Sequence, residues 1–354
     1  MADEELKYWL GLSMVPGIGP RRFLRLGGAR RAFLASREEF LRVKDLGPAA
    51  WAALQKVRAA DDLNGRLRRL RETGVSLLTL VEPSYPAPLR EIYDPPPVLY
   101  LKGLAEALGR PAVAVVGTRS PSQYGREVAR ALSRALASAG LAVVSGMARG
   151  IDTEAHLGAL EAGGPTVAVL GSGIDRVYPP ENERLAAVIS GAGAVVTELP
   201  PGTPPARGNV PARNRIISGL CMGTVVVEAG ERSGALITAD LALQQGREVF
   251  AVPGPVTSSR SVGPHRLIKQ GAKLVEGLDD ILEELEGVLG RAARPVGPGP
   301  GSPTGLPGPG PWPGSPGGGV LPGPPLANSP KLASPPRGLS GDEAEVMRLL
   351  AGGP

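Results

Sequence analysis

The residues able to do chemistry in this 354-residue chain fall in short Gly-rich stretches, each directly after an apolar run: Gly117-Thr118-Arg119, Ser145-Gly146-Met147-Ala148-Arg149, Gly171-Ser172-Gly173 and Glu228-Ala229-Gly230. Glycines let backbone N–H groups approach an anion closely. Thr118, Ser145 and Ser172 add hydroxyl donors, and Arg119 and Arg149 add planar donor pairs suited to phosphate. PARNRIISGL (211–220) sets Arg213 and Arg215 around Asn214 at an expected helix start, and ERSGALITAD (231–240) opens another helix with Arg232, Ser233 and Gly234. Lys269, in RLIKQGA, is a further cation expected at the same rim. Together these predict a sugar–phosphate clamp. The plainer alternative is that the glycines only make strand-to-helix turns.

Other chemistries find little support. No G-x-x-x-x-G-K-[ST] is present, GTRSPSQYG (117–125) does not follow the G-x-G-x-x-G pattern, and GSGIDR (171–176) has two of its three glycines. Asp152 and His156 stand i, i+4 on one helix face, an arrangement open to acid–base work but read here as a capping carboxylate and a structural histidine. Ser145 and Ser218 lack a partner base. The single cysteine, Cys221, and the two histidines, His156 and His265, give no basis for a disulfide framework or a zinc centre. No catalytic residue, metal ligand or cofactor is assigned.

The elements that must hold these loops alternate. Strands are predicted at 111–117, 141–146, 166–173, 194–199, 224–230, 248–254 and 273–277, with helices near 124–139, 151–162, 181–190, 213–220 and 235–246 between them. Near-continuous apolar strands separated by helices imply an α/β fold with a Rossmann-like, doubly wound, mostly parallel sheet. In such a sheet, ligands bind beyond the carboxyl ends of the strands, where the glycine-rich loops lie. The net charge of +5 is unevenly spread: residues 111–290 carry 16 Lys+Arg against 18 Asp+Glu. A polyanion must therefore be held by a local pocket rather than by the overall field.

Five regions follow. Residues 1–70 have helical periodicity and form a small helical domain; within it VPGIGPRRFLRL (15–26) reads as a hairpin between helices, resembling the helix-hairpin-helix of sterile-alpha-motif-like domains. Residues 71–110 are a connecting segment with two short edge strands, 75–80 and 98–103. Residues 111–290 are the Rossmann-like domain. Residues 291–338, rich in Pro and Gly, are an expected disordered linker, and 339–354 an expected start of a further small domain. The acidic N-terminus MADEELKYWL has no apolar signal core, and no apolar run reaches the ~20 residues of a membrane span. The expectation is a soluble, cytoplasmic protein.

Six ordered stretches, GTRSPSQYG, SGMARGIDTEAHLGAL, GSGIDRVYPPENERL, PARNRIISGL, VVVEAGERSGALITADLALQQGREVFAVPG and GPHRLIKQGA, resemble the DNA processing protein A family (DprA, also called Smf). The resemblance implies a non-enzymatic recombination mediator that binds single-stranded DNA, forms a homodimer through the α/β domain and loads RecA onto DNA in natural transformation. It also implies that 339–354 begins a winged-helix domain. By position, Gly117, Thr118 and Arg119 match the family's phosphate turn, Ser145, Gly146 and Arg149 its second loop, and Arg213, Asn214 and Arg215 its Arg-Asn-Arg helix start; Ser233 and Lys269 complete the expected nucleic-acid contacts. Val210 stands where members often carry an aromatic, and Pro180 where many carry a basic residue. The competing function is a phosphoribohydrolase-like enzyme on a related fold, with Glu228 in place of its catalytic carboxylate; here the family's double glycine before that residue is absent. A third reading is a RecA scaffold in which DNA contact is incidental.

Overall fold

A computed structural model describes residues 3–289 except 17, 19–21, 23–27, 45 and 61. Most of the expected hairpin at 15–26, and everything beyond 289, lies outside the described residues.

Nine strands form one sheet: β1 (Val75–Thr79), β2 (Val98–Gly103), β3 (Ala112–Val116), β4 (Ala142–Ser145), β5 (Thr166–Val169), β6 (Ala194–Thr197), β7 (Gly223–Val226), β8 (Glu248–Ala251) and β9 (Lys273–Leu274). Their order across the sheet is β1-β2-β6-β5-β4-β3-β7-β8-β9. All pairs from β6 to β9 are parallel, and β1 and β2 extend the β6 edge antiparallel. The chain builds outward from β3 in one direction as far as β6, then returns to the other side of β3 for β7. The β3/β7 boundary is thus the topological switch point, where crossovers leave in opposite directions and open a crevice at the strand ends.

Burial follows from this topology. β3, β4, β5 and β6 are buried at every position, because helices cover both faces of a parallel sheet. Successive residues of one strand serve opposite faces. Leu99 and Leu101 join a core with Val144, Val169 and Ile217, whereas Val98 and Tyr100 join Trp9, Leu12, Phe40 and Leu54. The N-terminal helices therefore have no separate core among the described residues. Helices Asp3–Ser13 and Leu63–Glu72 close over one sheet face, Pro48–Ala60 packs on the first of them, and the Ser13 hydroxyl meets the Tyr100 hydroxyl at 2.8 Å. None of the described helices is long and apolar enough to cross a membrane.

The helix predicted at 213–220 spans Asn209–Gly219. It starts four residues earlier than the sequence reading expects, because Pro211 falls in the first turn, where its missing N–H costs nothing. Arg213 and Asn214 therefore sit in the second turn rather than at a helix N-terminus. The helix near 181–190 spans Glu183–Ala192 after a short 3-10 turn, Pro180–Asn182.

Candidate nucleic-acid groove

The loop after β3 is fixed before any ligand arrives. The Thr118 amide donates to the Glu228 carbonyl (2.7 Å), and the Thr118 carbonyl accepts from the Ile151 amide (3.2 Å). A Cβ on Gly117 would lie 2.5 Å from Ile151 Cγ1 and 2.9 Å from the Glu228 carbonyl. Gly150, at φ +79°, passes so close to the Thr118 carbonyl that a Cβ would sit 2.4 Å from it. Glycine is required at both positions by the close approach of backbones, which is the turn reading of these residues. Met147 is a non-glycine at φ 60°, a conformation costing on the order of 1 kcal/mol that clusters at functional loops.

Glu228 is the clamp beneath this loop. It is 4% exposed, and its two carboxylate oxygens accept from the Ser122 amide (2.8 Å) and hydroxyl (2.6 Å). Ser122 in turn caps the helix Gln123–Ser138 through the Gly125 amide. A Cβ on Gly125 would meet that carboxylate at 2.3 Å. Glu228 is thus spent on positioning and does not line the crevice.

Arg213 is the keystone. Its guanidinium is buried, with 5% of the residue exposed, and Nη1 donates to the carbonyls of Gly146 (2.6 Å) and Val169. It thereby ties the end of β4 to the end of β5. Asp152 provides the counter-charge and accepts from the Ala148 amide (3.2 Å). Burial pulls Arg213 down to about 10 against the opposing pull of Asp152, and burial pushes Asp152 up against Arg213. Arg213 remains protonated at neutral pH. A Cβ on Gly146 would lie 2.6 Å from both terminal nitrogens of Arg213 and 2.7 Å from Asp152 Oδ2. Arg213 Nε is buried without a hydrogen-bond partner.

Two adjoining cavities form the groove. One, of about 390 Å³, follows the switch point and is lined by Gly117, Thr118, Arg119, Asn214, Arg232 and Ser233 among others. The second is lined by Gly146, Arg149, Ser172, Tyr178, Pro179 and Pro205 among others. Arg119, Ala148, Val210 and Arg213 line both, which makes them one continuous trough. The N-terminus of the helix Gly234–Gln244, capped by Ser233, opens onto it. Its unpaired N–H groups and positive dipole end favour an anion. Among the described residues, Arg119 and Arg232 have no carboxylate partner, whereas exposed Arg149 is hydrogen-bonded to Glu181, which raises the Arg149 pKa and lowers that of Glu181.

The structure therefore brings together Gly117, Thr118, Arg119, Gly146, Arg149, Arg213, Asn214 and Ser233. Three expected residues fall elsewhere. Ser145 is fully buried under the trough and donates its hydroxyl to the Val115 carbonyl (2.7 Å). Arg215 follows Arg213 by two residues, about 200° around the helix, so the pair cannot share a face. It turns away to make a two-pronged ion pair with Glu198 (2.7 and 2.6 Å) and reaches Asp94 at 3.4 Å. Lys269 is the last residue of the helix Val262–Lys269, whose first turn touches the rim through the Gly263 amide and Ala229 carbonyl. Lys269 lies about 9 Å along the helix from Gly263 and lines neither cavity.

Sequence reasoning passed over Tyr178, which is 47% exposed on the trough wall and the one aromatic among its lining residues. Its signal was available: an aromatic beside Pro179 in a loop that follows a strand end. His156 is structural: its Nδ1 meets the Thr166 hydroxyl at 2.7 Å, and that hydroxyl donates to the Val143 carbonyl.

A doubly wound sheet with an arginine-lined trough at its switch point defines a Rossmann-like protein. The sequence model of the DNA recombination-mediator protein A family matches residues 76–286, and the chain belongs to that family. It is 46% identical over 208 residues to DNA processing protein DprA of Streptococcus pneumoniae, covering 59% of this chain and 73% of that one. The X-ray structure of the S. pneumoniae protein aligns with a TM-score of 0.70 at 36% identity, over 78% of this chain and 97% of that one. DNA processing protein A of Helicobacter pylori, whose structure was described for a unique single-stranded DNA binding mode, aligns with a TM-score of 0.55 at 29% identity, over 60% of this chain and 96% of that one. The family places the chain in DNA processing and recombination.

Proposed function

We propose that this protein binds single-stranded DNA in the Arg119–Arg213 trough and acts as a recombination mediator that loads RecA onto the strand during natural transformation. It works in the cytoplasm as a homodimer through the α/β domain and catalyses no step itself. The observation that carries this reading is the trough itself: four arginines, Arg119, Arg149, Arg213 and Arg232, and a helix N-terminus line one continuous channel, with Asp152 the one lining carboxylate. An open channel suits a polymer of phosphates better than one small ligand. Tyr178 offers a base a ring face, worth ~1–3 kcal/mol per stacked base. The aromatic missing at Val210 is thereby offset by a ring elsewhere in the lining of the same cavity.

The Gly117, Thr118, Arg119 turn would take one phosphate and Asn214 and Ser233 a second, while Arg149 would exchange Glu181 for a third. Arg213 would act mainly by holding Gly146 in place. The enzyme alternative is disfavoured because both oxygens of Glu228 are held by Ser122.

Fluorescence anisotropy tests the reading with labelled oligo-dT, its duplex, and a nucleoside monophosphate as competitor. Binding to the single strand should exceed duplex binding and fall with salt, with log K against log[salt] sloping at about −0.7 per phosphate contacted. Arg119→Ala should weaken it ~10–100-fold, the effect of one charge-assisted contact. Strand binding that is absent, or indifferent to Arg119, together with turnover of the monophosphate, would overturn the proposal.

A further inference from the structure

Besides the trough and its two joined cavities there is a second, separate cavity, of about 410 Å³, on the far side of the loops that wall the trough. Leu10, Met14, Leu70, Ile174 and Pro200 give it an apolar lining, and Arg66, Arg69 and Lys102 give it cations. Asp175 is the only carboxylate among its lining residues, and it accepts from the Gly202 amide at 2.7 Å. Arg66, Arg69, Leu70 and Thr73 recur at i, i+3, i+4 and i+7, so one face at the C-terminal end of the helix Leu63–Glu72 is turned to the cavity. Lys102 comes from β2, where it pairs with Val75, another lining residue.

This cavity and the trough share their walls. The Gly173 amide donates to the Thr203 carbonyl (2.9 Å), and with the Gly202–Asp175 bond this ties the 171–176 loop to the 200–205 loop. Gly171, Ser172 and Pro205 line the trough; Ile174, Asp175, Pro200 and Pro201 line the second cavity. From Ser172 to Ile174 is two residues, at most about 7 Å of chain. The ridge between the two sites is therefore narrow enough for one strand to cross.

We propose that the second cavity is a nucleotide subsite, which takes a base of the same strand after it leaves the trough and holds the flanking phosphates with Arg69 and Lys102. The inference rests on the trough reading above. An apolar lining with prolines suits the face of any base, and cations at the rim suit the phosphates on either side of it. No aromatic is among the residues that line the cavity, so the base is held by burial rather than ring stacking. The N-terminal helices thus gain a role in binding that does not depend on the hairpin at 15–26.

The test is anisotropy on the full chain with an oligo-dT length series, comparing wild type, Arg69→Ala/Lys102→Ala and Arg119→Ala. Both Arg69 and Lys102 are exposed, and thermal melting checks that the double variant stays folded. On the shortest strand that still depends on Arg119, the double variant should match wild type. On strands long enough to cross the ridge it should bind about tenfold more weakly, and the salt slope should shrink by about 1.4, the share of two phosphates. Unchanged affinity and slope on long strands, or equal loss at every length, would overturn the subsite while leaving the trough intact. If Arg119→Ala changes nothing, the trough reading fails and the subsite with it.

Discussion

Arg213 and Arg119 both line the trough, yet removing them should have opposite signatures. Arg213→Met deletes a guanidinium that bridges the Gly146 and Val169 carbonyls and leaves the Asp152 carboxylate buried without its counter-charge. Two buried carbonyls lose their donor, at ~1–3 kcal/mol each, and Asp152 loses the nearby charge that opposes its burial, so the loss is on the order of 3–5 kcal/mol. At roughly 2–4 °C per kcal/mol for a body of this size, the melting temperature should fall by on the order of 10 °C. Asp152→Asn keeps an acceptor for the Ala148 amide but strands Arg213, so it should also destabilise. The double variant, with neither charge, should lose less than the sum of the two, by about 2 kcal/mol. Urea unfolding followed by circular dichroism at neutral pH measures all four corners of this cycle. Arg119→Ala, in contrast, should leave the midpoint unchanged while lowering affinity for oligo-dT. Arg213→Met with a wild-type midpoint, or strictly additive losses, would refute the assignment of Arg213 as a structural bridge and make it a plain phosphate ligand.

Three further outcomes follow from the same geometry. Gly146→Ala puts a methyl 2.6 Å from the Arg213 terminal nitrogens; the overpacking should cost ~1–3 kcal/mol and weaken strand binding, measured by melting and anisotropy on one preparation. Tyr178→Ala should lower affinity by about tenfold, within the ~1–3 kcal/mol of one stacked base, but leave the salt slope as in wild type because no charge is removed; a changed slope would contradict a stacking role. His156 is buried with Nε2 unpartnered, and burial depresses it from 6.5 to about 3. A depressed pKa contributes stability that is full above 6.5 and lost as pH falls toward 3, on the order of 5 kcal/mol. The urea midpoint should decline through that window, and His156→Asn, which keeps a donor for Thr166, should flatten the decline; an equal slope in the variant would assign the effect to other groups.

Much of the site was legible because parallel sheets announce themselves locally. Runs such as AVAVV and TVAV are apolar throughout since both faces are covered, and in a doubly wound fold the glycine-rich turns after them fall at the ligand edge. Gly117, Arg119, Gly146 and Arg149 could thus be assigned to one rim from composition and order. What a linear reading could not give was the direction of each side chain. Arg213 and Arg215 look equivalent in sequence, but a two-residue offset on a helix sends one under the trough and the other to Glu198. Lys269 sits in a motif that touches the rim, yet it occupies the far end of its helix.

The sequence alone thus determined the fold class and placed the glycine- and arginine-rich loops at the strand ends, since these depend on periodicity and residue type. Only the tertiary structure decided which cations line the trough and which are spent holding loops. It also showed that the N-terminal helices share a core with the sheet, and that Leu10 and Arg69 meet Lys102 and Ile174 around a second cavity. Those decisions rest on contacts between residues tens to hundreds of positions apart, such as Ser122 with Glu228, and no local pattern encodes such a pairing.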